Sequence, residues 1–229
     1  MNLTPAETEA LVLSLRVAIW AVLISLPLGI FMAWLLSRRE FYGKALLDAI
    51  VHLPLVVPPV VVGYLLLVLL GRRGVVGAWL YDVLGIKLVF TWQGAAIAAA
   101  VMAFPLMVRA IRLSLDAVDR KLETAARTLG ASPLDVFFSV TLPLAAPGVL
   151  TGVVLAFARS LGEFGATITF VSNIPGETRT LPLAIFTTVQ TPGAEVGTFR
   201  LALISLVLAL AALAASELLA RRVAKRLTG

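Results

Sequence analysis

The 229-residue sequence has no cysteine and a single histidine, His52. Without cysteine there are no disulfides, no thiolate nucleophile and no cysteine metal site. An enzyme working inside a membrane would need paired aspartates, a serine–histidine pair or a metal cluster within its spans. Glu163 is the one acid plainly inside a span, so neither catalytic nor metal-ligating residues are expected, and no cofactor. Charge is scarce: Asp, Glu, Lys and Arg make up 14% of positions, against about 25% in soluble domains. No G-x-x-x-x-G-K-[ST] segment occurs, so ATP is not held here by a phosphate loop. Residues 1–10 contain Glu7 and Glu9 but no Lys or Arg. The positive start of a cleavable signal peptide is missing, and the first apolar segment is expected to stay as an anchor.

What is present is apolar. Hydrophobic residues fill 60% of the chain and the mean hydropathy is +0.99. A water-soluble fold of this length has too little interior to hide that excess. The expected class is therefore all-α: a polytopic transmembrane bundle, single domain 1–229, in contact with lipid. Five stretches are long enough to cross a bilayer: Ala10–Leu36, Leu47–Leu70, Gln93–Leu113, Leu144–Val171 and Phe199–Ala220. In the second, Pro54, Pro58, Pro59 and Gly63 predict a kink. His52, near one end of that span, reads as a packed or interfacial residue rather than a ligand.

The net charge of +6 would suggest a polyanion partner in a soluble protein. Here it reads as basic residues gathered in loops on one side of the membrane, with no basic, aromatic-interleaved face to suggest nucleic acid. Arg38, Arg39 and Lys44, then Arg109, Arg112, Arg120, Lys121 and Arg127, then Arg221, Arg222, Lys225 and Arg226 fall on one side. They outnumber Arg72, Arg73, Lys87 and Arg179 on the other. The N-terminus is expected outside and the C-terminus in the cytoplasm, although Arg72 and Arg73 oppose the trend locally.

The cytoplasmic loop 114–143 is too long for a mere connection. From Asp119 it reads DRKLETAARTLGASPLDVFFSVTLPLAAPG, which predicts two short helices around a tight turn. Asp119 caps the first, Gly130 ends it, Ser132 and Pro133 open the second, and Asp135 favours its positive end. Pro143 and Pro147 are expected to stop that helix before the next span. Leu122, Ala125, Ala126 and Leu129 lie on one helical face. Two readings stand: a helix lying on the membrane surface, or one docking its small, smooth face into a groove of a soluble partner.

The same residues resemble the cytoplasmic "EAA" loop of ABC importer permeases: Glu-Ala-Ala, three residues, Gly, nine residues, Ile, one residue, Leu-Pro. Ala125, Ala126, Gly130, Leu142 and Pro143 match, Val140 replaces Ile, and Thr124 holds the Glu position with Glu123 one place early. Phe41–Leu67, Phe104–Arg112 and Phe157–Pro182 are similar to the molybdate permease subunits of that family, with the type I fold. The resemblance implies a bacterial cytoplasmic (inner) membrane protein, itself no enzyme. It implies a second copy of the chain, two cytoplasmic ATPase subunits and an external molybdate-binding protein. Alternating access at the homodimer interface would carry the anion, with tungstate or sulfate as alternative cargo. A stand-alone channel or carrier would leave the docking loop without a purpose.

Two further sets complete the expectations. Arg159 and Glu163 lie four apart in the fourth span, so they share a face. They read either as a structural ion pair or as a polar element of the pathway or its gate, with Thr167 and Thr169 lining it. On the external loop, Leu181–Val189 predicts a short helix. Glu177 and Arg179 are candidate contacts for the binding protein, and the loop serves equally well as a cover for the pathway mouth.

Overall fold

The computed structural model describes residues 3–228, with side chains through residue 215. The tail cations Arg221, Arg222, Lys225 and Arg226 therefore lie outside the described side chains. Among the described residues there are helices and no strands. In order they are α1 (Pro5–Arg38), α2 (Lys44–Val56), α3 (Pro59–Leu70), α4 (Val75–Leu84), α5 (Trp92–Ala117), α6 (Arg120–Thr128) and α7 (Pro133–Val136). A π turn (Phe137–Thr141), α8 (Leu142–Leu144), α9 (Ala146–Leu161), α10 (Gly165–Val171), α11 (Leu181–Val189) and α12 (Glu195–Thr228) follow.

Helix α5 is the axis. Gly94, Ala95, Ala96, Ala98, Ala99, Ala100 and Ala103 are all buried, and small side chains let neighbouring helices approach where lipid offers no hydrophobic drive. α1 and α9 pack along it. One core cluster joins Ala95–Met102 of α5 to Val62, Ala166 and Phe170. The other joins Met107–Leu115 to Leu36, Val51 and Ala156. These clusters mark the two ends of the bundle, and the second is the end that carries α6.

Three helices are long and apolar enough to cross a membrane unbroken, and counting each of two bent pairs as one span gives up to five. Between α2 and α3 the chain turns through 116°, much more than the kink expected from the prolines. Val57 and Pro58 are both extended (ψ 136° and 135°), because a residue before proline is pushed out of the helical region and Pro58 precedes Pro59. Val51 belongs to the α6-end cluster and Val62 to the opposite one, so the pair still passes from end to end.

The expected fourth span, Leu144–Val171, is not continuous. It breaks at Gly162–Phe164, where the Glu163 carboxylate accepts from the Ala166 N–H (2.8 Å) and caps α10. As expected, the preceding helix stops between Pro143 and Pro147: it runs from Pro133 to Leu144, and the chain bends by 68° at Ala145 into α9. Pro143 lacks an N–H and its ring crowds the carbonyl four residues back, and the ladder widens there into the π turn. α5 continues to Ala117, which leaves the loop a start at Val118. α4, a ten-residue apolar helix between the second and third spans, was not anticipated.

Candidate functional site: the protruding helix and its latch

No residue of α6 is buried. The helix stands off the bundle, with Leu122, Leu129, Leu134 and Phe138 exposed around it. Ala125 and Thr124 are exposed as well, and Ala126 half-buried. Its ends are closed locally. Asp119 accepts from the Lys121 N–H at 2.9 Å. At the other end the Gly130 N–H donates to Arg127 O (3.0 Å) and the Ala131 N–H to Ala126 O (3.2 Å). That pair of bonds needs the residue between in the left-handed region, and Gly130 has φ 89°. Ser132 and Asp135 exchange backbone-to-side-chain bonds, each 3.2 Å, at the start of α7.

Glu123 does not point away with the exposed face. Its carboxylate pairs with the Arg38 guanidinium at 2.9 Å, both side chains nearly buried, and accepts from the Thr141 hydroxyl at 3.0 Å. Arg38 also donates to Val118 O (3.3 Å), and Arg120 donates to Ser37 O (3.2 Å). The base of α6 is thus latched to the end of α1 and to the π turn around a cleft of about 270 Å³. Val140 and Leu142 are half-buried behind it and Pro143 is exposed. Arg38 and Thr141 are the members of the latch that sequence reasoning missed; partners 85 and 18 positions from Glu123 leave no local pattern.

A second charged network lies at the same end. Arg112 pairs with Asp48 (3.1 Å) and Asp116 (3.8 Å), and His52 Nδ1 lies 2.9 Å from Asp48 O. In the connection between α1 and α2, Glu40 accepts from the Lys44 ammonium at 2.7 Å, which holds its carboxyl below the usual range.

Along the fourth span, Arg159 meets Glu163 at 2.7 Å; Glu163 is buried and Arg159 partly exposed. Thr167 is fully buried within the protomer. Thr169 is half-buried and donates to Gly165 O (2.9 Å). At the far end, 172–180 form a tied loop. Buried Thr178 accepts from the Ile174 N–H (2.9 Å) and donates to Ser172 O (3.1 Å). Arg179 donates to Asn173 (2.9 Å), and Asn173 to Thr187 (2.8 Å). Glu177 is exposed. The Leu181 N–H donates to Ser14 Oγ (2.7 Å), which joins α11 to α1.

A helix capped at both ends thus stands clear of the bundle, joined by the Gly130 turn to a bent helical rod that leads into α9. The sequence profile described as "Binding-protein-dependent transport system inner membrane component" matches residues 25–225. The chain belongs to this family. Its members are transport membrane components, and this one crosses the membrane several times. Among its relatives, the molybdenum transport system permease protein ModB of Escherichia coli (strain K12) is 66% identical over 96% of both chains. The protein of the same name from Haemophilus influenzae is 60% identical over the same shares. A probable sulfate transport system permease protein of Chlorokybus atmophyticus is 38% identical over 80% of this chain and 63% of its own. Among solved structures, the fold is shared with the MetNI methionine ABC transporter in its inward-facing conformation (TM-score 0.71, 16% identity, 95% and 94% covered). It is shared too with a bacterial ABC transporter that imports alginate (TM-score 0.76, 19% identity, 96% and 80% covered).

Proposed function

We propose that this chain is the membrane subunit of an ATP-driven importer for molybdate, working as a homodimer with two ATPase subunits and an external binding protein. The observation that carries the cargo is the 60–66% identity, along nearly the whole chain, to molybdenum transport permeases. The more distant sulfate relative (38%) supports sulfate, or tungstate, as the second reading; all three are tetrahedral oxyanions of the same charge. The excess of basic residues in the loops on one side supports α6 in the cytoplasm and the N-terminus outside.

In this reading the exposed face of α6, with Thr124, Ala125 and Ala126, docks in a groove of the ATPase. Closure of the nucleotide sites moves α6; Glu123, Arg38 and Thr141 carry the motion to α1 and the π turn, and the bent rod carries it into α9. The break at Glu163 then lets α9 move relative to α10, with the Arg159–Glu163 pair as a gate element. Thr169 sits on the half-exposed side toward the passage, while Thr167 packs inward. Glu177 is the free contact for the binding protein and Arg179 braces the loop through Asn173.

The test is ATPase activity of the copurified complex with and without binding protein loaded with molybdate, tungstate or sulfate. Stimulation by the molybdate-loaded protein is expected. Stimulation by the sulfate-loaded protein alone would transfer the cargo to the second reading, and no copurifying ATPase would remove the importer mechanism.

A further inference from the structure

The end of the bundle opposite α6 carries cations that the transport reading leaves unused. Arg72 and Arg73 follow α3, Lys87 follows α4, and all three are exposed. They border a cleft of about 640 Å³ whose other walls include Leu67, Leu70, Leu88, Val89 and Phe90. No Asp or Glu lines it. This is the side of the membrane on which basic residues are least expected.

α4 explains where the cleft sits. At ten residues it is too short to span, which takes about 20. It nonetheless exposes Val75, Val76, Trp79, Val83 and Leu84, a set that water would penalise. It packs chiefly on α3. Gly77 is what brings it there: a Cβ at that position would stand 2.1 Å from Gly71 O and 2.3 Å from Leu70 O. The helix therefore lies across the end of α3, at the level where one span ends and the next begins. An apolar helix with Trp and Tyr at that level belongs to the membrane interface. The Arg72 guanidinium lies 4.7 Å from the centre of the Tyr81 ring, within cation–π range. Its stem covers apolar surface while its head remains at headgroup depth.

We propose that Arg72, Arg73 and Lys87 form a binding site for the phosphate of an anionic phospholipid in the leaflet opposite the coupling helix, with an acyl chain against Leu67, Leu70 and Phe90. Guanidinium groups suit phosphate oxygens, and the apolar wall beside them favours a lipid over a soluble anion. The acidic surface of a protein partner would match the charge but not the exposed apolar face of α4. The site stands whatever the cargo, because it rests on the membrane placement alone.

The test uses the full complex of permease and ATPase subunits in nanodiscs of phosphatidylcholine with a minor share of spin-labelled phosphatidylglycerol. The immobilised fraction is compared between wild type and Arg72→Gln/Arg73→Gln/Lys87→Gln. Binding is expected to weaken about fivefold for each charge removed, with labelled phosphatidylcholine unaffected. The variant Arg72→Lys/Arg73→Lys should keep most of it. If the triple variant does not assemble, Lys87→Gln alone carries the test. Unchanged immobilisation in a folded variant overturns the site. Unchanged immobilisation with weakened capture of the external binding protein would do the same and give the patch to that protein.

Discussion

The two ends of the bundle are held by different chemistry. At the α6 end the ties run through charged side chains: Arg38 to Glu123 and Arg112 to Asp48 and Asp116 as ion pairs, and Arg120 to the Ser37 carbonyl as a hydrogen bond. At the opposite end, apart from the Arg200–Glu7 pair at 2.7 Å and the Arg179 bond to Asn173, the loop 172–180 and α11 are tied by neutral hydrogen bonds through Thr178, Asn173 and Ser14. The α6 end also leaves its helix unburied, whereas Leu181, Leu183 and Ala184 of α11 are buried. Charged latches around an unburied helix resist bending and transmit displacement. Neutral, buried ties keep a surface in one shape. In the proposed mechanism the first end moves and the second holds.

Breaking the latch should have the largest effect. Arg38→Ala leaves the Glu123 carboxylate nearly buried without its cation, a loss of about 3–5 kcal/mol for such a pair. The expected outcome is a complex whose basal ATPase persists while stimulation by loaded binding protein disappears, read in one assay beside wild type. Glu123→Gln keeps an acceptor for Thr141 and should lose less.

Gly130→Pro comes next. Proline demands φ near −65° where the chain has 89°, so the end of α6 must rebuild. Stimulation should again be lost, with ATPase copurification kept or weakened; full stimulation would show that this turn transmits nothing. Gly130→Ala should cost about 1–2 kcal/mol and leave partial stimulation.

Glu163→Ala tests the hinge between the two ends. It removes the cap of α10, worth about 1 kcal/mol, and strands Arg159. Uptake into vesicles should fall more than stimulated ATPase, because motion still reaches α9 but no longer sets the break. Glu163→Gln keeps the cap and isolates the contribution of the charge.

The smallest effect is expected at the holding end. Ser14→Ala leaves the buried Leu181 N–H without its acceptor, about 1–3 kcal/mol. Thermal stability in detergent should drop while the ratio of stimulated to basal ATPase is unchanged. A changed ratio would mean that this end takes part in the motion after all.

Much of this was legible in the chain. Hydropathy and length were enough for three unbroken candidate spans, or five with the bent pairs, because every backbone polar group in lipid must be satisfied within a helix. The caps of α6 and α7 could be read from Asp119, Gly130, Ser132 and Pro133, since capping is settled within four residues. The bounds of α11, Leu181–Val189, match the short helix expected there, although no side chain caps it. What the sequence alone did not decide is how the crossings break and which charges meet. Proline spacing announced a disturbance near Pro58, but the 116° turn depends on where α3 finds its partners on α5 and α10. The break at Glu163 is hidden inside an apolar run: the carboxylate bonds the Ala166 N–H only three residues on, but nothing in the flanking hydropathy marks the interruption. Arg38 and Glu123 are far apart in sequence, so their pairing belongs to the packing of α1 against the loop. Local bonding is written in neighbouring residues; the latch exists only once distant segments share the same space.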